Sequence, residues 1–68
     1  MYSLVGIDGN AFAIIGYVAK VMKKEGFEKE SIDAYRKDAM SGDYHNLLMV
    51  SKDKLDLINS SKEAEEVL

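Results

Sequence analysis

Apolar residues recur at intervals of three and four positions through most of the chain, a spacing typical of one face of an α-helix. The first run predicts a helix over residues 10–25, which Asn10 caps and Gly26 ends in a left-handed turn. Its apolar positions cover about half of the helical circumference, more than the stripe of an ordinary surface helix. They are Ala11, Phe12, Ile14, Ile15, Val18, Ala19, Val21 and Met22. So wide a face predicts cover on two sides, by the rest of the chain and by a second copy.

The same spacing predicts a second helix over residues 29–40. Ser41 and Gly42 interrupt the pattern and end this helix. Its apolar stripe is narrower and consists of Ile32, Tyr35 and Ala39. This helix is therefore expected to pack against the core on one side only.

A third helix is predicted over residues 43–58, with Asp43 as its N-cap. Its apolar positions are Tyr44, Leu47, Leu48, Leu55 and Ile58. The run Asn59-Ser60-Ser61 breaks the helical pattern, so the helix is expected to end there. Residues 59–68 are then predicted to form a loosely held tail.

The N-terminal residues 1–9 are apolar and partly β-branched up to position 7, which suits an extended segment. A lone β-strand would need a partner strand, so we favour an extended arm that lies over the helices. The pattern as a whole predicts a single all-α domain over residues 1–68, with three helices and an extended N-terminal arm.

Size and composition favour self-association. The chain has 68 residues, 47% of them hydrophobic, and contains no Cys and no Pro. A core of this size only just offsets the entropy lost on folding, and without Cys it gains no support from disulfides. The apolar surplus therefore predicts a homo-oligomer. His45 is the sole histidine, which excludes the usual zinc ligand sets, and no cofactor is expected.

The net charge of −3 argues against binding duplex DNA through its phosphates, although it permits a local basic patch. No apolar run has the length of a transmembrane span or the layout of a signal peptide, so no membrane association is expected. A cytoplasmic location is the resulting expectation.

The segment before the first helix is the first candidate for chemistry. Asp8 and Gly9 form a turn before Asn10, and the backbone N–H groups of Asn10, Ala11 and Phe12 are expected at the positive end of the helix dipole. Such a place suits a phosphate or carboxylate. The alternative is that Asp-Gly-Asn here is ordinary turn and cap chemistry.

The start of the third helix is the second candidate. Tyr44 and His45 could stack on a flat ring of a ligand, whereas an Asp43 cap would repel an anion. The alternative places Tyr44 in the core and leaves His45 in solvent.

A cationic face is the third candidate. The cations of the first two predicted helices are Lys20, Lys23, Lys24, Lys29, Arg36 and Lys37. The first three are spaced to lie on one exposed side of the first helix, and Arg36 is the only arginine. The planar guanidinium of Arg36 suits bidentate recognition of a phosphate, to which Lys24 would add charge. The alternative is a solvated helix face.

Catalysis finds little support in the sequence. Ser41, Asp43 and His45 are too close together along the chain to form a proton relay in line. The protein is therefore expected not to be an enzyme.

The segments Gly9-Asn10-Ala11-Phe12 and Ser41-Gly42-Asp43-Tyr44, with Leu47-Leu48 after the second, resemble a group of short uncharacterised proteins from phages and bacterial genomes. The likeness covers residues 5–48 and carries no known catalytic residues. It implies a phage setting, in which short proteins often bind a host protein or sequester a signalling nucleotide of host defence. In that setting the location would be the host cytoplasm.

Two functions remain open. The first is a non-enzymatic regulator or sponge that sequesters an anionic nucleotide, held by residues 10–12, Lys24 or Arg36, and Tyr44 or His45. The second is a protein–protein interaction module that binds and inhibits a host protein through an exposed apolar helix face, such as one with Met49, Val50 and Leu57.

Overall fold

Three helices make up the fold of this protein. The structure, a computed structural model, describes the backbone of residues 1–67 and the side chains of residues 1–62. The helices are α1 (Ala11–Lys24), α2 (Lys29–Ala39) and α3 (Tyr44–Val67), and each one contacts the other two. No strand occurs within residues 1–67. The all-α, three-helix expectation is therefore confirmed.

The ends of α1 follow from local sequence. The Asn10 side chain accepts a hydrogen bond from the Phe12 N–H at 2.8 Å, as an N-cap does. At the other end, Gly26 has a φ of +89°. The N–H groups of Gly26 and Phe27 donate to the carbonyls of Lys23 and Met22, which is a Schellman ending. The predicted cap and stop of this helix are both present.

The start of α3 also matches its predicted cap, since the Asp43 carboxylate accepts a hydrogen bond from the Asn46 N–H at 2.9 Å. Its end does not match, because the helix continues past residue 58 to Val67. The predicted helix end at residue 58 is therefore wrong. That residues 59–67 are loosely held stays a prediction, and residue 68 lies outside the described residues.

The reason for the longer helix is the side chain of Asn59. Its Oδ1 accepts a hydrogen bond from the Tyr2 N–H, and its Nδ2 donates to the Tyr2 carbonyl, both at 2.8 Å. An asparagine whose amide is bound elsewhere does not compete for the backbone of its own helix. One turn later, Lys62 pairs with Glu25 at 3.0 Å, which ties this part of α3 to the end of α1.

The N-terminal arm lies against the helices through Tyr2, Leu4 and Ile7, which pack on the core. It is not extended along its whole length. The Ile7 N–H donates to the Leu4 carbonyl at 3.1 Å, and Gly6 adopts a φ of +83°, so the chain turns before it enters α1.

The core lies between the three helices, with Val18 and Met22 fully buried at its centre. Ser51 is also fully buried, and its hydroxyl lies 2.6 Å from that of Tyr35. The apolar face of α1 is narrower than predicted, since Phe12 is 76% exposed. Phe12 lies at the edge of the apolar stripe, whereas Ala11 in the same first turn packs against the core.

Candidate functional site

A groove of about 530 Å³ runs between α1 and α2 and gathers most of the cations of these two helices. The cationic side chains that line it are Lys20, Lys23, Lys29 and Arg36. Among the described residues of the lining, Asp33 is the one carboxylate. The groove is therefore locally positive on a chain whose net charge is −3.

Periodicity and one tight turn build this groove. On α1, Gly16, Lys20 and Lys23 lie on one stripe, and on α2 Lys29 and Arg36 occupy the matching stripe. The short connection after α1 places the two stripes side by side. All four cations belong to the set expected from the sequence, but their spacing along the chain did not indicate that the two helices form a groove between them.

The floor of the groove is apolar. Ala19 and Ile32 are buried, and Phe27 is half-buried beside them. The Lys54 ammonium of α3 lies over the Phe27 ring, 5.9 Å from the ring centroid. A concave apolar surface rimmed by a few polar groups, with a volume of several hundred Å³, is typical of small-molecule sites.

Arg36 and Asp33 make an ion pair across one turn of α2, with 3.5 Å between Nη1 and Oδ1. Both side chains are about half exposed, so the pair contributes little to stability. Its effect on the groove is electrostatic, since it offsets the positive charge at the Arg36 end.

The sequence-predicted site residues do not form one site. Arg36 lines the groove, whereas Lys24 does not, although Lys24 follows Lys23 directly. Asn10 and Lys24 lie at opposite ends of α1, about 21 Å apart along the helix. A ligand held at the start of α1 could not reach Lys24.

The starts of α1 and α3 do converge. The Tyr44 hydroxyl donates a hydrogen bond to the Gly9 carbonyl, which joins the two glycine-containing turns. Beside this contact, Ala11, Phe12 and Tyr44 line a second cleft of about 320 Å³, together with Met40 of the α2–α3 connection. His45 is exposed and is absent from the lining of this cleft.

The amides at the start of α1 already have acceptors. The Asn10 N–H donates to the Asp8 carboxylate at 2.9 Å, and the Phe12 N–H donates to the Asn10 side chain at 2.8 Å. Two of the three N–H groups expected to bind phosphate are thus engaged, and a carboxylate sits where the anion would lie. This geometry favours the turn-and-cap interpretation of residues 8–12 and leaves the α1–α2 groove as the better anion site.

Within the described part of the chain, no cluster of His, Cys, Asp or Glu has the arrangement of a metal site. None of the helices described there combines the length and apolar character needed to cross a bilayer.

Comparison of the sequence and fold with protein-family models, curated proteins and solved structures returned no match.

Proposed function

We propose that this protein is a small non-enzymatic binding protein that holds an anionic nucleotide in the groove between α1 and α2. The observation that carries the proposal is the pairing of four cationic side chains with an apolar floor in one concave surface. A nucleotide matches both features, because its phosphates can pair with the cationic side chains and its base can pack on the apolar floor.

The individual side chains support this chemistry. Lys20, Lys23 and Lys29 are exposed point charges that can follow a phosphate chain. Arg36 adds a planar guanidinium that can hydrogen-bond or stack. Ile32 and Phe27 offer apolar surface on which a base can lie.

The biological role that we propose is sequestration. The resemblance to short phage proteins suggests a phage-encoded regulator that lowers the free concentration of a nucleotide signal of host defence. Such a role requires affinity and abundance but no chemical step, because each bound molecule is withdrawn from solution by mass action.

Calorimetric titration with mono-, di- and cyclic nucleotides tests the proposal, and α1 provides a matched pair of variants. Lys23→Glu and Lys24→Glu make the same charge change in the last turn of α1, but only Lys23 lines the groove. We expect Lys23→Glu to weaken binding by about 10- to 100-fold, the worth of one charged hydrogen bond. Lys24→Glu should change it far less.

Equal losses in both variants would mean that the protein attracts nucleotides through its general field and not through this groove. Absence of binding to every member of the panel would remove the proposed function.

The second candidate, a module that binds a host protein, is favoured by a separate surface on α3. Met49 and Leu57 are 52% and 56% exposed on α3, and Leu57 lines a cleft together with Val50 and Asp53. If this surface binds a partner, Leu57→Glu should abolish capture of that partner and leave nucleotide binding intact.

A further inference from the structure

We infer that Gly16 is a ligand-contacting position, at which the flat base of the bound nucleotide lies against the backbone of α1. The inference rests on the proposed function and specifies how the ligand is oriented in the groove. It assigns the base to the Gly16 end and the phosphates to the end near the α1–α2 turn.

No contact or backbone angle among the described residues requires a glycine at position 16. It lies inside α1, where glycine is less favourable than any residue except proline. Its φ is not positive, and a Cβ built there would have no neighbouring atom within 4 Å. Alanine would therefore fit the folded chain and favour the helix.

The open space at Gly16 faces the groove, whose wall this residue forms. Because Gly16 has no Cβ, the peptide groups of this turn of α1 are accessible from the groove. A flat ring can approach the helix here more closely than beside any other residue type. Glycine at this position therefore suits contact with a ligand.

The charges of the groove give the ligand its direction. Lys23 and Lys29 flank the end next to the connecting turn, with Lys20 one turn farther from it. Gly16 and Arg36 each lie seven residues from Lys23 and Lys29, away from the turn, at a distance of about 10 Å along the helices. The Asp33 carboxylate offsets Arg36 at the Gly16 end. Phosphates are thus drawn to the lysine end.

The opposite end suits an uncharged, planar, polar group. The Arg36 guanidinium can stack on a base, and Asp33 can accept a hydrogen bond from a base amino group. The two ends are about 10 Å apart along the helices, so an elongated ligand with a planar group at one end and phosphates at the other can occupy both.

The test compares ligands with and without a base. Wild type and Gly16→Ala are titrated with ATP, GTP, CTP and UTP, and with inorganic triphosphate, which keeps the phosphate chain alone. We expect Gly16→Ala to bind the preferred nucleotide about tenfold less tightly and to bind inorganic triphosphate like wild type. Its melting temperature should rise, because alanine is the better helix former, so a folding defect cannot explain the loss.

Lys24→Ala serves as the control on the same helix and should leave both ligands unaffected. Unchanged nucleotide affinity in Gly16→Ala, or an equal loss for inorganic triphosphate, overturns the inference while the proposed function stands. A loss that follows a change in molar mass by light scattering also overturns it, since Gly16 would then contact a second copy. If wild type binds no nucleotide, both the inference and the proposed function fail.

Discussion

The hydroxyl groups of Tyr35 and Ser51 form the buried polar contact that joins α2 to α3. They lie 2.6 Å apart, with Tyr35 only 3% exposed and Ser51 fully buried. Burial raises the pKa of Tyr35 above its ordinary value of 10.0. Each hydroxyl depends on the other for its hydrogen bond.

Removing one of the two hydroxyl groups should therefore lower the free energy of unfolding more than removing both. We expect Tyr35→Phe to lower the free energy of unfolding by about 1–3 kcal/mol, because it leaves the Ser51 hydroxyl unsatisfied in the core. The double variant Tyr35→Phe/Ser51→Ala should regain part of that loss. Urea denaturation measures the free energy of unfolding of each variant. If the loss in the double variant equals the sum of the losses in the two single variants, the two hydroxyl groups act independently.

Individual residues show where sequence reasoning succeeds. Asn10 caps α1 as predicted, because a cap depends only on the residues next to it. Phe12 was expected on the buried face and is exposed instead. Helical periodicity says which side of a helix a residue occupies, but it does not say where the buried part of that side ends at its edges.

Among the helices too, features that depend on neighbouring residues were predicted, and features that depend on distant residues were not. The Schellman ending at Gly26 is a local feature and was predicted. The continuation of α3 past residue 58 was not, because its cause is the bonding of Asn59 to Tyr2, 57 positions away in the sequence. The groove escaped prediction for a similar reason, since Lys20 and Lys29 belong to different helices.

The link between the arm and α3 can be tested with neighbouring substitutions. Asn59→Ala removes two hydrogen bonds to the Tyr2 backbone, and we expect a net loss of about 1 kcal/mol despite the better helix propensity of alanine. Ser60→Ala, at the exposed adjacent position, changes only the helix propensity and should raise the stability of the folded protein slightly. Equal stability of the two variants in thermal denaturation would contradict this role for Asn59.

Glu25 makes the contact between α1, the arm and α3 sensitive to acid. The Tyr2 hydroxyl donates to its carboxylate at 2.7 Å, and Lys62 pairs with it, so the pKa of Glu25 lies below its ordinary value of 4.5. The unfolded chain therefore binds a proton at higher pH than the folded one. This contribution to stability is complete above pH 4.5 and is lost as the pH falls through the folded pKa.

Two variants check this dependence. Glu25→Gln should be less stable than wild type at neutral pH and should lose less stability on acidification. Tyr2→Phe removes the largest cause of the shift, so the pKa of Glu25 measured by NMR should move up toward 4.5. An unchanged Glu25 titration in Tyr2→Phe would exclude the hydrogen bond as the cause.

The molecule as a whole keeps an exposed apolar surface that predicts self-association. Phe12, Met40 and Tyr44 are 76%, 62% and 48% exposed and surround the cleft of about 320 Å³, whose floor includes Ile15 and Leu47. A projecting ring beside an apolar cleft suits a two-fold arrangement in which each copy inserts Phe12 into the other.

We therefore expect a dimer, and Phe12→Glu should convert it to a monomer in light scattering. Leu57→Glu, which places the same charge on the exposed face of α3, should leave the mass unchanged. A monomeric wild type at high concentration would exclude this arrangement.

The bonds between Tyr2 and Asn59 have a consequence for synthesis on the ribosome. The amino-terminal residues emerge first, yet their partner is translated 57 positions later. Until then the core on which Tyr2, Leu4 and Ile7 pack lacks the residues that α3 contributes. Docking of Tyr2 on α3 must therefore wait until Asn59 has been translated.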